Sequence, residues 1–103
     1  MALPSITVVC MPLDDRWTCQ VTVAEGSSST EHRVIVHRAD LDRLAPGSPE
    51  PEPLIRASFE FLLERESKES ILRSFELTEI TGYFPEFERA VQQLLPSVGE
   101  EPR

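Results

Sequence analysis

Apolar residues along this chain repeat with two different periods. Over residues 6–38, apolar and polar side chains alternate at every second position, which is typical of strands that bury one face. Over residues 54–95, apolar side chains recur every three to four positions, which is typical of amphipathic helices. Residues 45–53 include four prolines and can continue neither pattern. We therefore predict an α+β fold in a single domain.

The predicted domain of residues 1–103 has four parts. They are a β-rich half with a short helix (1–44), a Pro-rich, stiff and extended connector (45–53), a helical half (54–95) and an acidic tail (96–103).

Three segments, 6–11, 17–23 and 32–37, predict a three-stranded antiparallel meander. If the first hairpin turns at Asp14-Asp15, uncharged residues face one another across the two strands. These pairs are Ile6 with Val23, Val8 with Val21, Cys10 with Cys19, and Pro12 with Trp17. A slip of one residue would break this agreement, so the register is well specified. We expect a flexible loop over residues 25–30 and a core face that carries Trp17, Cys19, Val21 and Val23.

About three helices are predicted to form the C-terminal layer. The first covers residues 54–66, and the second is capped by Ser67 and turns Ile71, Leu72 and Phe75 inward. Thr81-Gly82 reads as a helix stop, and the last helix begins near Pro85. A short helix over residues 39–44, capped by Asp40, precedes the connector.

Parts of the helical half resemble a group of small uncharacterised bacterial proteins. The similar segments are 59–66 (FEFLLERE), 70–73 (SILR) and 83–88 (YFPEFE), together with 32–37 (HRVIVH) and the following Leu41 and Leu44. They lie within residues 32–88, a range of about half of the chain. The resemblance implies a bacterial origin, and it carries no activity and no functional residue.

The distribution of charge disfavours several classes of partner. The net charge is −8, and twelve of the eighteen acids lie in residues 46–103 with six of the ten bases. Such a surface repels phosphate, which disfavours nucleic acids and anionic membranes. No apolar run approaches the roughly 18 residues of a membrane span. The first residues also lack the pattern of a signal peptide, so we expect a cytoplasmic protein.

The residues that commonly carry chemistry are sparse and dispersed. His32 and His37 are separated by an odd number of positions, so a strand places them on opposite faces. Cys10 and Cys19 could form a cross-strand disulfide, although a cytoplasmic location favours free thiols. None of the familiar glycine-rich phosphate-binding motifs is present in the sequence. We therefore expect no catalytic residue, no cofactor and no metal site.

Aromatic residues are concentrated in the helical half, which holds all of them except Trp17. A three-stranded sheet has a small face to cover, which leaves two alternatives. Either all of these aromatic residues pack in the core, or some of them form an exposed apolar interface. The candidate interface residues are Phe84, Phe87, Val91, Phe61 and Tyr83, with Ile35 on the other side of the sheet.

Three hypotheses for function follow. The leading one is a non-enzymatic protein–protein interaction or assembly module, which associates with itself or with a partner that has a basic surface. The alternative is a small ligand-binding or regulatory domain with a pocket between the sheet and the aromatic helices. The third is a small enzyme that uses the strand face with Arg33 and His37. The sequence does not indicate whether anything covers the second face of the sheet, with Val9, Met11 and Ile35.

Overall fold

The computed structural model describes residues 4–95 and contains a four-stranded mixed sheet with helices. The strands are β1 (Ser5–Leu13), β2 (Arg16–Glu25), β3 (Ser28–His37) and β4 (Ser74–Glu76), in the spatial order β1-β2-β3-β4. The helices are α1 (Arg38–Leu44), α2 (Glu52–Leu63), α3 (Glu79–Tyr83) and α4 (Phe87–Leu94), with a 3₁₀ turn at Lys68–Ser70. The α+β class is confirmed, and the first three strands form an antiparallel meander.

The predicted register of the first hairpin is confirmed. Ile6 lies opposite Val23, Val8 opposite Val21, Cys10 opposite Cys19 and Pro12 opposite Trp17. In the second hairpin, Val34 lies opposite Cys19 and Val36 opposite Trp17. Because side chains alternate between the two faces of a strand, these pairings place the strands' buried apolar residues on one face.

The prediction of a flexible loop over residues 25–30 is wrong. β2 continues to Glu25 and β3 begins at Ser28, so the loop has only two residues. Gly26 takes the first loop position with a φ of 63°. A glycine with positive φ at that position suits a two-residue hairpin, because its twist matches that of the strands. The first hairpin uses Asp14 in the same way, with a φ of 58°.

The fourth strand is a correction to the predicted three-stranded sheet. The helix predicted after Ser67 is instead the 3₁₀ turn followed by β4, which pairs parallel to β3. Phe75 and Leu77 are buried, whereas their neighbours Ser74 and Glu76 are exposed. This alternation is the pattern of a strand, and it competes with the helical spacing of Ile71 and Phe75 that the prediction followed.

Several predicted boundaries also move. α2 ends at Leu63 rather than at residue 66, and α3 runs through Thr81 and Gly82, so these residues do not stop a helix. Asp40 lies in the first turn of α1 and does not cap it. In the predicted extended connector, the Ser48 amide donates to the Ala45 carbonyl at 3.0 Å, which closes a turn.

The helices supply the other half of a single hydrophobic core. Side chains from both halves of the chain have no exposed surface, among them Val21, Val34, Leu41, Phe59 and Phe87. α2 packs against β1 and α4, and α1 packs against β3. The predicted acidic tail lies outside the described residues.

Phe59→Ala tests this core. Because the Phe59 ring is fully buried, we expect its truncation to lower the free energy of unfolding by about 3–5 kcal/mol. Tyr83→Ala is the matched control, since the Tyr83 side chain is 67 % exposed and its loss should cost less than about 0.5 kcal/mol. Urea denaturation followed by tryptophan fluorescence measures both. Equal losses in the two variants would contradict the packing described.

Candidate functional site

One face of the sheet carries no helix within residues 4–95 and exposes a group of apolar side chains. Val9 is 59 % exposed, Met11 68 % and Leu13 65 %. These three residues lie on β1 at alternate positions, so they point to the same side of the sheet. We call this side the open face. It also carries, from β2 to β4, Arg16, Thr18, Gln20, Thr22, Glu31, Arg33, Ile35, His37, Ser74 and Glu76.

The strand that carries the three exposed apolar residues, β1, is also an edge strand of the sheet. This nine-residue strand contains no charged residue, although charges commonly protect exposed edges from pairing with other strands. Two features limit such pairing here. The Arg56 guanidinium of α2 donates to the Ile6 carbonyl, and Pro12 has no amide hydrogen to donate. The edge is therefore blocked near both of its ends.

A second feature is a small pocket of about 150 Å³ on the helical side of the molecule. Its walls come from the end of α2, the segment before β4, β4 itself and α3. The lining residues are Leu62, Glu66, Ser70, Ile71, Leu72, Phe75, Glu79, Ile80, Tyr83 and Phe84. Most of these side chains are apolar, and two carboxylates stand among them.

The two carboxylates differ in their surroundings. Glu79 Oε2 accepts a hydrogen bond from the Glu76 amide at 3.0 Å. Glu66 is half-buried, and among the described residues its carboxylate has no ion-pair or hydrogen-bond partner. Burial without a compensating charge raises the pKa of the Glu66 carboxyl above its usual range. Of the two carboxylates, Glu66 is thus the one that is free to meet a ligand.

The predicted interface residues fall into three different places. Phe61, Phe87 and Val91 are buried in the core, where the Phe61 and Phe87 rings lie 5.3 Å apart. Tyr83 and Phe84 line the pocket. Ile35 lies on the open face, opposite Thr18 of β2. The structure therefore does not bring these six residues into one surface, because α4 uses Phe87 and Val91 to pack against its neighbours.

The two histidines lie on opposite faces of β3, as predicted. His32 is buried, with Nδ1 2.8 Å from the Leu72 carbonyl oxygen and Nε2 2.8 Å from the Thr30 hydroxyl. A carbonyl oxygen only accepts, so Nδ1 carries the hydrogen and donates to Leu72. Burial lowers the pKa of His32, and the ring serves to tie β3 to the segment before β4.

His37 lies on the open face, with Nε2 3.3 Å from the Glu76 carboxylate. The two cysteines lie on β1 and β2, and Cys19 points into the core on the opposite face. The structure therefore does not place either cysteine sulfur beside His37.

The expectation of free thiols is wrong, because a disulfide joins Cys10 and Cys19. The physical reason is the register of the hairpin, which places the two residues directly opposite one another with their Cα atoms 3.9 Å apart. Cys19 has no exposed surface. The bond therefore links the edge strand β1 to the centre of the sheet.

Two further features are absent from the described residues. Across residues 4–95, no three side chains among His, Cys, Asp and Glu are grouped closely enough to hold a metal ion. No helix in this part of the chain has the length and apolar character needed to cross a membrane. Comparisons with protein-family models, curated proteins and solved structures return no match to the chain. The resemblance to small bacterial proteins stays a prediction.

Two residues of the pocket, Glu66 and Leu72, are not among the site residues predicted from the sequence. Glu66 was assigned to the first predicted helix of the helical half, and Leu72 was predicted to turn inward. In the structure, Leu72 is 45 % exposed at the pocket, because β4 and the segment before it are extended rather than helical. The alternation of apolar Phe75 and Leu77 with polar Ser74 and Glu76 is the sequence signal that could have found this.

The lowered pKa of His32 predicts a dependence of stability on pH. The unfolded chain takes up a proton near the ordinary histidine pKa of 6.5, whereas folded His32 resists protonation to a lower pH. Below pH 6.5 the unfolded state therefore binds more protons than the folded state. The contribution of His32 to the free energy of unfolding is complete above the unfolded pKa and is lost as the pH falls below it. We expect this loss to begin as the pH falls below about 7.5 and to continue until folded His32 itself is protonated.

Urea denaturation across that pH range measures the effect. His32→Gln should reduce the slope of stability against pH. An unaltered slope in His32→Gln would show that this histidine does not control the dependence.

The disulfide predicts a dependence of stability on reduction. Because the bond closes a loop between residues nine positions apart, reduction should lower the free energy of unfolding by about 2–3 kcal/mol. Denaturation with and without a phosphine reductant measures this, and the Cys10→Ala/Cys19→Ala double variant, which should not respond to reductant, is the control. Alkylation of both cysteines in air-oxidised, denatured protein would contradict the bond.

Proposed function

We propose that this protein is a non-enzymatic protein–protein interaction module that associates with a second copy of itself through the open face. The observation that carries the proposal is the exposure of Val9, Met11 and Leu13, three large apolar side chains in a row on one strand. Exposed apolar residues are ordinary when they are scattered, but a contiguous row is typical of an interface.

Burial of this row supplies the driving force. Removing one valine, leucine or methionine side chain from water stabilises an association by about 1.5–3 kcal/mol. In a symmetric pair each residue contributes twice, once from each copy. Half-buried Ile35 lies on the same face and extends the apolar surface from β1 to β3.

The charges of the open face suit a second copy. The whole chain carries −8, so two copies repel one another over most of their surfaces. The open face itself has Arg16 and Arg33 against Glu31 and Glu76, and is therefore close to neutral. Two copies that meet through this face avoid most of the repulsion and can place arginine against glutamate.

Contact through the face is favoured over pairing of two β1 edges. Arg56 already occupies the Ile6 carbonyl, and Pro12 cannot donate a hydrogen bond, so only a short stretch of the edge remains for another strand. Edge pairing would also leave Val9 and Met11 exposed on the face of a longer sheet, whereas packing of the two faces buries them.

The solution mass of the Met11→Lys variant tests the proposal. We expect the wild-type chain to have about twice its 11.6 kDa monomer mass at micromolar concentration, and Met11→Lys to be monomeric. A lysine ammonium buried at the interface would lack a partner. The dissociation constant of the Met11→Lys dimer should therefore be at least about a hundredfold higher than that of the wild type. Sedimentation velocity over a dilution series measures both.

Leu94→Lys is the matched control. Leu94 is also an exposed apolar residue, 42 % accessible, but it lies on α4 away from the sheet. The Leu94→Lys substitution adds the same charge as Met11→Lys and should leave the dimer intact. A wild-type chain that is monomeric at every concentration, or a Met11→Lys variant with the mass of the wild type, would refute self-association through this face.

A further inference from the structure

The pocket on the helical side has the size of one side chain. Its volume is about 150 Å³. An engineered protein cavity of about that volume binds benzene, whereas sites for drug-sized ligands measure about 300–1,000 Å³. A nucleotide or a similar metabolite is too large for it. The pocket therefore suits a group with roughly the bulk of an amino-acid side chain.

The chemistry of the lining specifies a ligand with an apolar body and a positive end. Leu62, Ile71 and Phe75 offer apolar contact over most of the wall. Glu66 adds a carboxylate whose oxygens have no protein partner among residues 4–95, and desolvation raises the pKa of this group. A cation beside Glu66 would relieve that cost, whereas an anion would increase it.

Exposed apolar residues at the pocket indicate a ligand larger than a single side chain. Leu72 and Tyr83 are 45 % and 67 % exposed, and both flank the opening. A small free cation would fill the pocket and leave these two side chains in water. A peptide would cover them with the residues next to its basic side chain, and the covered apolar area would add to its affinity.

We propose that this pocket binds a lysine or arginine side chain of a partner protein, with apolar residues next to that side chain packed on Leu72 and Tyr83. The aliphatic stem of the basic side chain lies against the apolar wall, and its charged head pairs with Glu66. The site is distinct from the open face and does not depend on self-association.

The test uses short blocked peptides and NMR of ¹⁵N-labelled protein. The probe is acetyl-Leu-Arg-Leu-amide, and its counterpart acetyl-Leu-Glu-Leu-amide reverses the charge. We expect the arginine peptide to shift the amide signals of Leu72, Ile80 and Tyr83 in a saturable way, and the glutamate peptide to leave them in place. Equal binding of the two peptides, or no saturable shift with either, would overturn the proposal.

Variants locate the interaction within the pocket. Glu66→Gln keeps the shape of the side chain and removes its charge, so it should weaken binding of the arginine peptide by roughly three- to tenfold. Glu64→Gln is the control, since Glu64 lies close in sequence, is exposed and pairs with Arg65 at 3.5 Å. Wild-type affinity in Glu66→Gln would show that the charge plays no part.

Two further arms separate the alternatives. n-Butylguanidinium reproduces the arginine side chain without a peptide, and we expect it to bind more weakly; affinity equal to that of the peptide would assign the pocket to a free organic cation instead. The Met11→Lys variant should bind the peptide like the wild type. Failure of the open-face dimer and failure of this site are therefore measured separately.

Discussion

The pairing register of β1 with β2 is the constraint on which the rest of the structure depends. Because the period of a strand is two, this register places Val8 and Val21 together on the side that meets the helices. It also sets Cys10 opposite Cys19, where the disulfide forms. A shift of one residue would expose the core face, so the packing of α2 and the disulfide both require the same alignment.

One-sided packing explains why the two candidate surfaces differ in character. The helices cover one face of the sheet and leave the apolar residues of β1 on the other, where the charges balance. The pocket arises on the helical side, where a short extended segment replaces a helix between α2 and α3. There Glu66 is left without a partner within the described chain. A near-neutral apolar face suits a second copy, and an acidic pocket suits a basic side chain.

The strand half of the molecule was predictable, and the reason lies in its pattern. Trp17 and Val21 alternate with polar residues over enough positions to specify both the element and its buried face. The loop after Glu25 was misjudged because its serines and glycine suggested flexibility, whereas one left-handed glycine is sufficient for a tight turn. For this loop, local composition was a weaker guide than the pairing of β2 with β3.

The helical half was predicted less well, because the spacing of apolar residues does not show what they pack against. The same limit applies to the predicted interface residues. The spacing of Ile71 and Phe75 fits a helix as well as a strand, and only the free edge of β3 decides between them. An amphipathic helix likewise shows which residues are apolar without showing what covers them. Phe87 and Val91 were therefore candidates for an interface, whereas the fold buries both in its own core.

The central claim is that burial of the open face drives association, and solvent exposure of its methyl groups tests this most directly. A soluble gadolinium chelate broadens methyl signals that it can approach, so the Met11 and Val9 methyl groups report whether the face is covered. We predict that these signals are protected at high protein concentration and broaden on dilution, while the Leu94 methyl signals broaden throughout. Equal broadening of all three residues at every concentration would contradict the account.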